Sequence, residues 1–187
     1  MTKEISQSFL RTKQFLNEHQ DYPIQPGIYA FYLSDNSNLL DFGKSGQLIY
    51  IGIAKYSLHD RDFKQHFNSG KTGSSTLRRS IGAILKDKLK LTAIPRGGEN
   101  DNKRFRYYKF ITEQSLTDWM ISNLQIGYWV SDEILNYKQL RDKEKDITIQ
   151  LKPTLDRDNR TRKYNPLADK LDILLEVCIK EAKIGKI

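Results

Sequence analysis

Glu144 sits where a carboxylate is least at home. Leu140, Glu144, Ile147 and Leu151 step by four, three and four residues, which puts them on one face of a helix. A carboxylate inside an apolar stripe is unfavourable unless it is paired or binds a metal ion, so Glu144 is either half of a salt bridge or a metal ligand. Two tripeptides could share a site with it: Gly27-Ile28-Tyr29 and Tyr50-Ile51-Gly52 each place a tyrosine in a short apolar run. Lys55, Arg61 and His66 follow. Next comes a hydroxyl-rich start of a helix, Ser74-Ser75-Thr76, with Arg78 and Arg79 just inside it. An arginine fork grips phosphate, and hydroxyls and amides at a helix start contact phosphates or simply cap the helix. Gly70-Lys71-Thr72 lacks the upstream glycines of a phosphate-binding loop and follows a helix, so it reads as a flexible connection with one further cation.

Charge narrows the chemistry. The 187 residues carry a net +8, and the segment from Lys55 to Lys109 holds 14 Lys+Arg against 5 Asp+Glu. The whole excess is therefore central, which suits either a polyanion-binding surface or a solubilising one. The lone cysteine, Cys178, excludes an internal disulfide and a cysteine zinc cluster; in its helical pattern it reads as a small core residue. No apolar run is long enough for a membrane span, and the start, Met1-Thr-Lys-Glu-Ile, has no apolar signal segment. The expected location is the cytoplasm.

The elements that must position these residues are legible in outline. Residues 3–19 read as an amphipathic helix ended by Pro23 and Pro26. GIYAFYL (27–33) and QLIYIGIA (47–54) read as two strands of an antiparallel hairpin joined by a long polar loop. Ser57 caps a short helix over 58–67 that carries Arg61 and His66. Leu77, Ile81, Ile84, Leu85 and Leu89 define one face of the next helix, with Arg78, Arg79, Lys86 and Lys90 on the other. RFRYYKFIT (104–112) alternates as a third strand, 115–124 is helical, and 128–130 is a short strand. Trp119, Met120 and Leu124 read as core. Pro153 stops a helix over 134–151, and a last helix spans 165–183, capped by Asn165.

In their order, the two tripeptides resemble the signature of the GIY-YIG nuclease superfamily, the catalytic domain shared by excision-repair, homing and restriction endonucleases. That family continues with L-x-x-R and then a His or Tyr about one helical turn later. Leu58 and Arg61 keep this spacing, and His66 follows Arg61 by five residues where four is usual. Lys55 matches a basic position of some members. A family glutamate opens the segment E-x-x-L-I-x-x-x-x-P-x-Y-N. Glu144 to Asp156 match its length with Pro153 in register, and Asp156 stands where the family has Asn, with Asn159 close by.

The resemblance implies a mixed α/β (α+β) domain over 1–187, a small antiparallel sheet flanked by helices. Its catalytic core would be 26–67 and 140–156, with 70–135 an insertion carrying a basic helix and strand. It implies a metal-dependent endonuclease that hydrolyses phosphodiester bonds in double-stranded DNA. Glu144 would hold Mg²⁺ or Mn²⁺, since one carboxylate completed by waters suits magnesium. Arg61 would clamp the scissile phosphate, Tyr29 would act as general base with Tyr50 in its proton network, and His66 competes for that role. Lys55, Lys71, Ser75, Thr76, Arg78 and Arg79 would contact nucleic acid, and Asp156 or Asn159 would orient the site. A homodimer would let one compact site cut both strands. The alternatives are an inactive nucleic-acid-binding module of the same fold and an RNA nuclease; restriction, mobile-element and repair settings are equally compatible.

Overall fold

The computed structural model describes residues 2–185. Its organising element is β2 (Gly27–Leu33), in which all seven residues are buried. Tyr29, Phe31 and Leu33 enter one hydrophobic core, while Ile28, Ala30 and Tyr32 enter a second. A strand apolar on both faces belongs at the centre of a sheet. The antiparallel order is β1 (Gln14–Phe15), β6 (Leu124–Trp129), β2, β3 (Leu48–Ala54). A separate two-stranded ladder pairs β4 (Ala93–Ile94) with β5 (Lys109–Phe110).

Helices cover both faces. The back layer is α1 (Thr2–Thr12), which contributes Ile5 and Phe9, and α5 (Tyr137–Leu151), which contributes Leu140 and Ile147. The front layer is α2 (Leu58–Arg61), α3 (Thr76–Ile84), α4 (Gln114–Asn123) and α6 (Ala168–Ile184), bringing Leu58, Leu77, Ile81, Leu116, Met120, Leu171 and Cys178. The front side is where the chemistry-bearing side chains gather. β3 is an edge strand with a bulge, because Phe31 pairs with Tyr50 while Tyr32 pairs with Leu48, leaving Ile49 extra. The Ile49 carbonyl accepts the Leu155 N–H at 2.8 Å, so the chain leaving α5 docks on this edge. That contact carries residues 156–160 to the front of the sheet.

Several expectations change here. The leading helix ends at Thr12, well short of residue 19. The alternating stretch 104–112 is mostly turn, with only Lys109–Phe110 extended: Tyr107 N–H bonds to the Lys103 carbonyl at 2.9 Å, and Arg104 N–H to Asp101 at 3.0 Å. Alternation of aromatic and basic residues gave it the period of a strand, but local bonds satisfy its backbone. The short strand near 128–130 is the six-residue β6, and it lies inside the sheet although it comes from the segment read as an insertion. Cys178, Met120 and Leu124 are core residues as expected. Among the described residues, no helix is long and apolar enough to cross a membrane.

Candidate active site

The two glycine–tyrosine tripeptides build one feature. Antiparallel register sets Tyr29 opposite Gly52 and Phe31 opposite Tyr50, so both tyrosines rise from the same face of neighbouring strands, ring centroids 6.2 Å apart. Gly52 is required by space. A β-carbon there would lie 2.4 Å from Tyr29 Oη and 2.5 Å from Cζ, so the phenol rests directly on the glycine backbone. Gly27 is similarly confined, its missing β-carbon falling 2.6 Å from the Trp129 carbonyl oxygen and 2.7 Å from Leu58 Cδ1.

Arg61 reaches Tyr29 from the end of α2, and His66 from the turn that follows it. Ser57 caps this helix, its Oγ accepting the Asp60 N–H at 3.1 Å. The next turn, Asp62–His66, is π-helical, and Phe67 N–H donates to the Asp62 carbonyl at 3.0 Å. The wider turn absorbs one extra residue, so the five-residue step from Arg61 to His66 brings both side chains to the same phenol. Arg61 Nε donates to Tyr29 Oη at 3.2 Å, and His66 Nε2 lies 2.8 Å from the same oxygen. Burial holds the Tyr29 phenol well above its ordinary pKa, with the Arg61 charge opposing. Burial, then the charges of Arg61 and Arg78, hold His66 well below its ordinary value. Both side chains are therefore neutral near pH 7. Burial likewise raises Tyr50, against the Arg61 charge.

Behind His66 the arginines depart from the outward face expected of them. Arg78 is fully buried, and its guanidinium bonds Glu113 Oε2 at 3.1 Å, Thr72 Oγ1 at 3.2 Å and the His66 carbonyl at 3.1 Å. Glu113 also accepts the N–H groups of Gly70 and Thr72, at 2.8 and 3.2 Å. Arg79 is 8% exposed and donates to the carbonyls of Thr72 and Gly73 at 3.0 Å each. Ser75 is buried, caps α3 through the Arg78 N–H at 3.1 Å, and lies 2.7 Å from His66 Nδ1. Arg78 and Ser75 thus present nothing to a surface. Helical periodicity marked Arg78 as outward because it cannot show that Glu113 waits across the packing boundary.

Glu144 lies across the cleft. It is 8% exposed, and Oε2 accepts from Arg160 at 2.7 Å. The salt-bridge reading of the apolar stripe therefore holds in this structure. Burial raises the Glu144 carboxyl and Arg160 opposes it. Arg160 also grips Asp158 at 2.9 Å. Asp156 takes the Asp158 N–H at 3.2 Å, while Asn165 Nδ2 clamps the Thr154 and Asp156 carbonyls at 2.8 Å each. Asn165, rather than the exposed Asn159, supplies the amide that braces this segment.

A cleft of about 750 Å³ joins these walls. Tyr29, Tyr50, Gly52, Arg61, Thr76, Arg79, Glu144, Asp156 and Asn159 line it, together with Arg106, Arg141, Arg157, Arg160 and Arg162. Seven arginines face four carboxylates there, which favours an anionic ligand. Lys55 and Lys71 are exposed outside the cleft lining. Among the described residues, no three His, Cys, Asp or Glu side chains converge on a metal position. Of the cleft carboxylates, Glu144 is the one that would hold an ion, and among the described residues no hydrogen bond reaches its Oε1. That fits a cation which keeps most of its waters, as Mg²⁺ does. Sequence reasoning missed Glu113, Asn165 and Arg160; Arg160 follows Glu144 by sixteen residues, beyond any helical or strand repeat.

A family model described as the GIY-YIG catalytic domain matches residues 26–174. No curated protein and no solved structure matches the chain.

Proposed function

The chain belongs to the GIY-YIG catalytic domain family, which supports a nuclease-type function, and on that footing we propose that it is an endonuclease hydrolysing DNA phosphodiester bonds with a divalent metal ion. The observation that carries the proposal is the convergence of Arg61 and His66 on one phenol oxygen, Tyr29 Oη, in the same arginine-rich cleft as Glu144.

Glu144 would hold Mg²⁺ or Mn²⁺, which supplies positive charge to the scissile phosphate and the departing oxygen. Arg61 keeps Nε on Tyr29 and Nη1 on Gln65, and its remaining N–H groups can grip a phosphate oxygen. Tyr29 receives the proton of the attacking water after its own hydrogen has passed to cleft solvent. A phenol needs positive charge nearby to work as a base near neutral pH, and the Arg61 guanidinium against Oη opposes the rise that burial imposes. Tyr50 adds a second phenol to the wall at which the water is positioned. The arginines of the cleft, with Thr76 at its rim and Lys55 and Lys71 outside it, would contact the flanking phosphates.

Incubation with supercoiled plasmid and Mg²⁺ or Mn²⁺ tests this. Nicking or linearisation that disappears with EDTA and in Glu144→Ala supports the proposal, and cutting that survives Glu144→Ala refutes it. The Glu144–Arg160 ion pair favours a second reading, a binding-only module whose carboxylate is permanently engaged. That reading requires salt-sensitive DNA retention with no cutting in any divalent metal. Matched DNA and RNA duplexes in competition separate the RNA nuclease.

A further inference from the structure

Ser75 has a place in this site that its capping role does not explain, and the reason is a count of protons. His66 is fully buried, with the rings of Tyr29, Phe31 and Tyr50 about it at centroid distances of 5.4, 5.6 and 6.3 Å. Burial and the adjacent Arg61 and Arg78 charges keep it neutral, so its ring carries one N–H only. Among the described residues each ring nitrogen has one polar neighbour, Tyr29 Oη at Nε2 and Ser75 Oγ at Nδ1.

Ser75 decides which nitrogen holds the proton. Its oxygen is buried and already accepts the Arg78 N–H. Among the described residues, the only other group within hydrogen-bond distance of that oxygen is His66 Nδ1. If Nδ1 carried the proton, the serine hydroxyl hydrogen would be buried without an acceptor, a state folded proteins avoid. If Ser75 donates to Nδ1, the protons behind Tyr29 are all placed: Arg78 N–H to Ser75 Oγ, Ser75 O–H to His66 Nδ1, His66 Nε2–H to Tyr29 Oη; only the Tyr29 hydrogen is left over, and Tyr29 lines the cleft whereas Ser75 does not. Tyr29 Oη then accepts from both Arg61 and His66, and its own hydrogen is left to the cleft.

We infer that Ser75 is a positioning residue that fixes His66 as the Nε2–H tautomer, so that Tyr29 Oη receives two donors; these stabilise the phenolate formed when its own hydrogen passes to cleft solvent, and that phenolate takes the proton of the attacking water. His66 is then a donor to the base and gives up the role of base itself. The inference rests on the nuclease reading for its catalytic meaning only; the tautomer is a property of the folded chain alone. Two anchors hold Ser75 in place. Glu113 ties down the loop before it through the Gly70 and Thr72 N–H groups, and Arg78 spans from Glu113 to the His66 carbonyl.

Nitrogen NMR of ¹⁵N-histidine-labelled protein reads the tautomer directly. The chain has only three histidines, and His66→Gln identifies the signal of interest. The expected result is an acceptor-type Nδ1 and a protonated Nε2 that do not titrate between about pH 5 and pH 8. A protonated Nδ1, or two averaged nitrogens, overturns the inference. In plasmid cleavage, Ser75→Ala should lower kcat about tenfold, the effect of one lost hydrogen bond, with KM unchanged and the pH optimum moved upward. Ser75→Thr, which keeps both cap and donor, should restore the rate and the profile. A Ser75→Ala protein that keeps the wild-type tautomer and pH profile also overturns it. Wild type that shows the expected tautomer yet cuts nothing overturns the nuclease reading and supports the assignment of Ser75.

Discussion

Gly52→Ala tests how tightly the tyrosine is placed. The new methyl group would begin 2.4 Å from Tyr29 Oη, 2.5 Å from Cζ and 2.9 Å from Cε2. Ordinary contact begins at 3.4 Å, so the phenol must recede by about 1 Å. It cannot swing freely, because Tyr29 is 1% exposed and packs against Phe31, Tyr50 and His66. The bonds to His66 and Arg61, now 2.8 and 3.2 Å, would stretch or break. Overpacking of this kind costs about 1–3 kcal/mol of stability. For a chain of this size that is a fall in Tm of roughly 2–12 °C. A 1 Å misplacement of a catalytic group costs about 100-fold in rate, or about 2.7 kcal/mol of barrier. Even the larger stability loss leaves a domain of about 5–15 kcal/mol almost wholly folded at 25 °C. Unfolding therefore cannot mimic the rate effect there. The assay is plasmid cleavage at 25 °C beside a thermal melt. A variant with lowered Tm and wild-type cutting would refute the role given to Tyr29, and one that melts and cuts like wild type would refute the packing.

Three further predictions follow from groups around that tyrosine. Glu113→Ala strands the fully buried Arg78 guanidinium, and losing half of a buried pair costs about 3–5 kcal/mol; thermal melts should show a fall of roughly 6–20 °C, and a change below 3 °C would refute the account. Arg160→Ala removes the cation that opposes the burial-driven rise of the Glu144 carboxyl, so the acid limb of the cleavage profile should move to higher pH, and an unmoved limb refutes the coupling. Asp62 is pushed up to about 8 by burial, with Oδ2 bonded to Tyr22 at 2.5 Å and Oδ1 lacking a partner among the described residues. The folded state then holds more protons than the unfolded one from about pH 4 to about pH 8, so stability falls as pH rises through that window. In Asp62→Asn the fall should be largely abolished, as melts at both ends of the window would show.

The sequence was most transparent where local rules act alone. The strand pair β2–β3, the Ser57 cap and the apolar stripe of α5 each follow from periodicity or capping chemistry, and the structure contains all three. It was opaque where residues far apart satisfy one another. β6 has no local signal for its place between β1 and β2, because that place is set by pairing with distant strands. Arg78 reads as a solvated cation until Glu113, thirty-five residues on, makes its burial tolerable. The stretch 104–112 mimics a strand because basic and aromatic residues alternate, yet Tyr107 has Arg79, Arg96 and Arg106 near its ring, at 4.9, 5.0 and 5.7 Å from the centroid.

The odd spacing of His66 shows how a local irregularity can be held by function-bearing contacts. A regular α-helix advances about 100° per residue, so a fifth residue after Arg61 would turn its side chain away from the phenol that Arg61 touches. The π-helical turn corrects this, and such turns are rare because their hydrogen-bond geometry is poor. Contacts on both sides of the turn compensate. Tyr22 and Phe63 pack beside its start, with Asp62 bonded to Tyr22. At its end the His66 ring bridges Tyr29 and Ser75, and its carbonyl takes the Arg78 guanidinium. The same contacts that stabilise the turn therefore orient the imidazole. Moving His66 back by one residue would restore a regular helix and lose all three of its polar partners, so the wide turn and the tyrosine site stand or fall together.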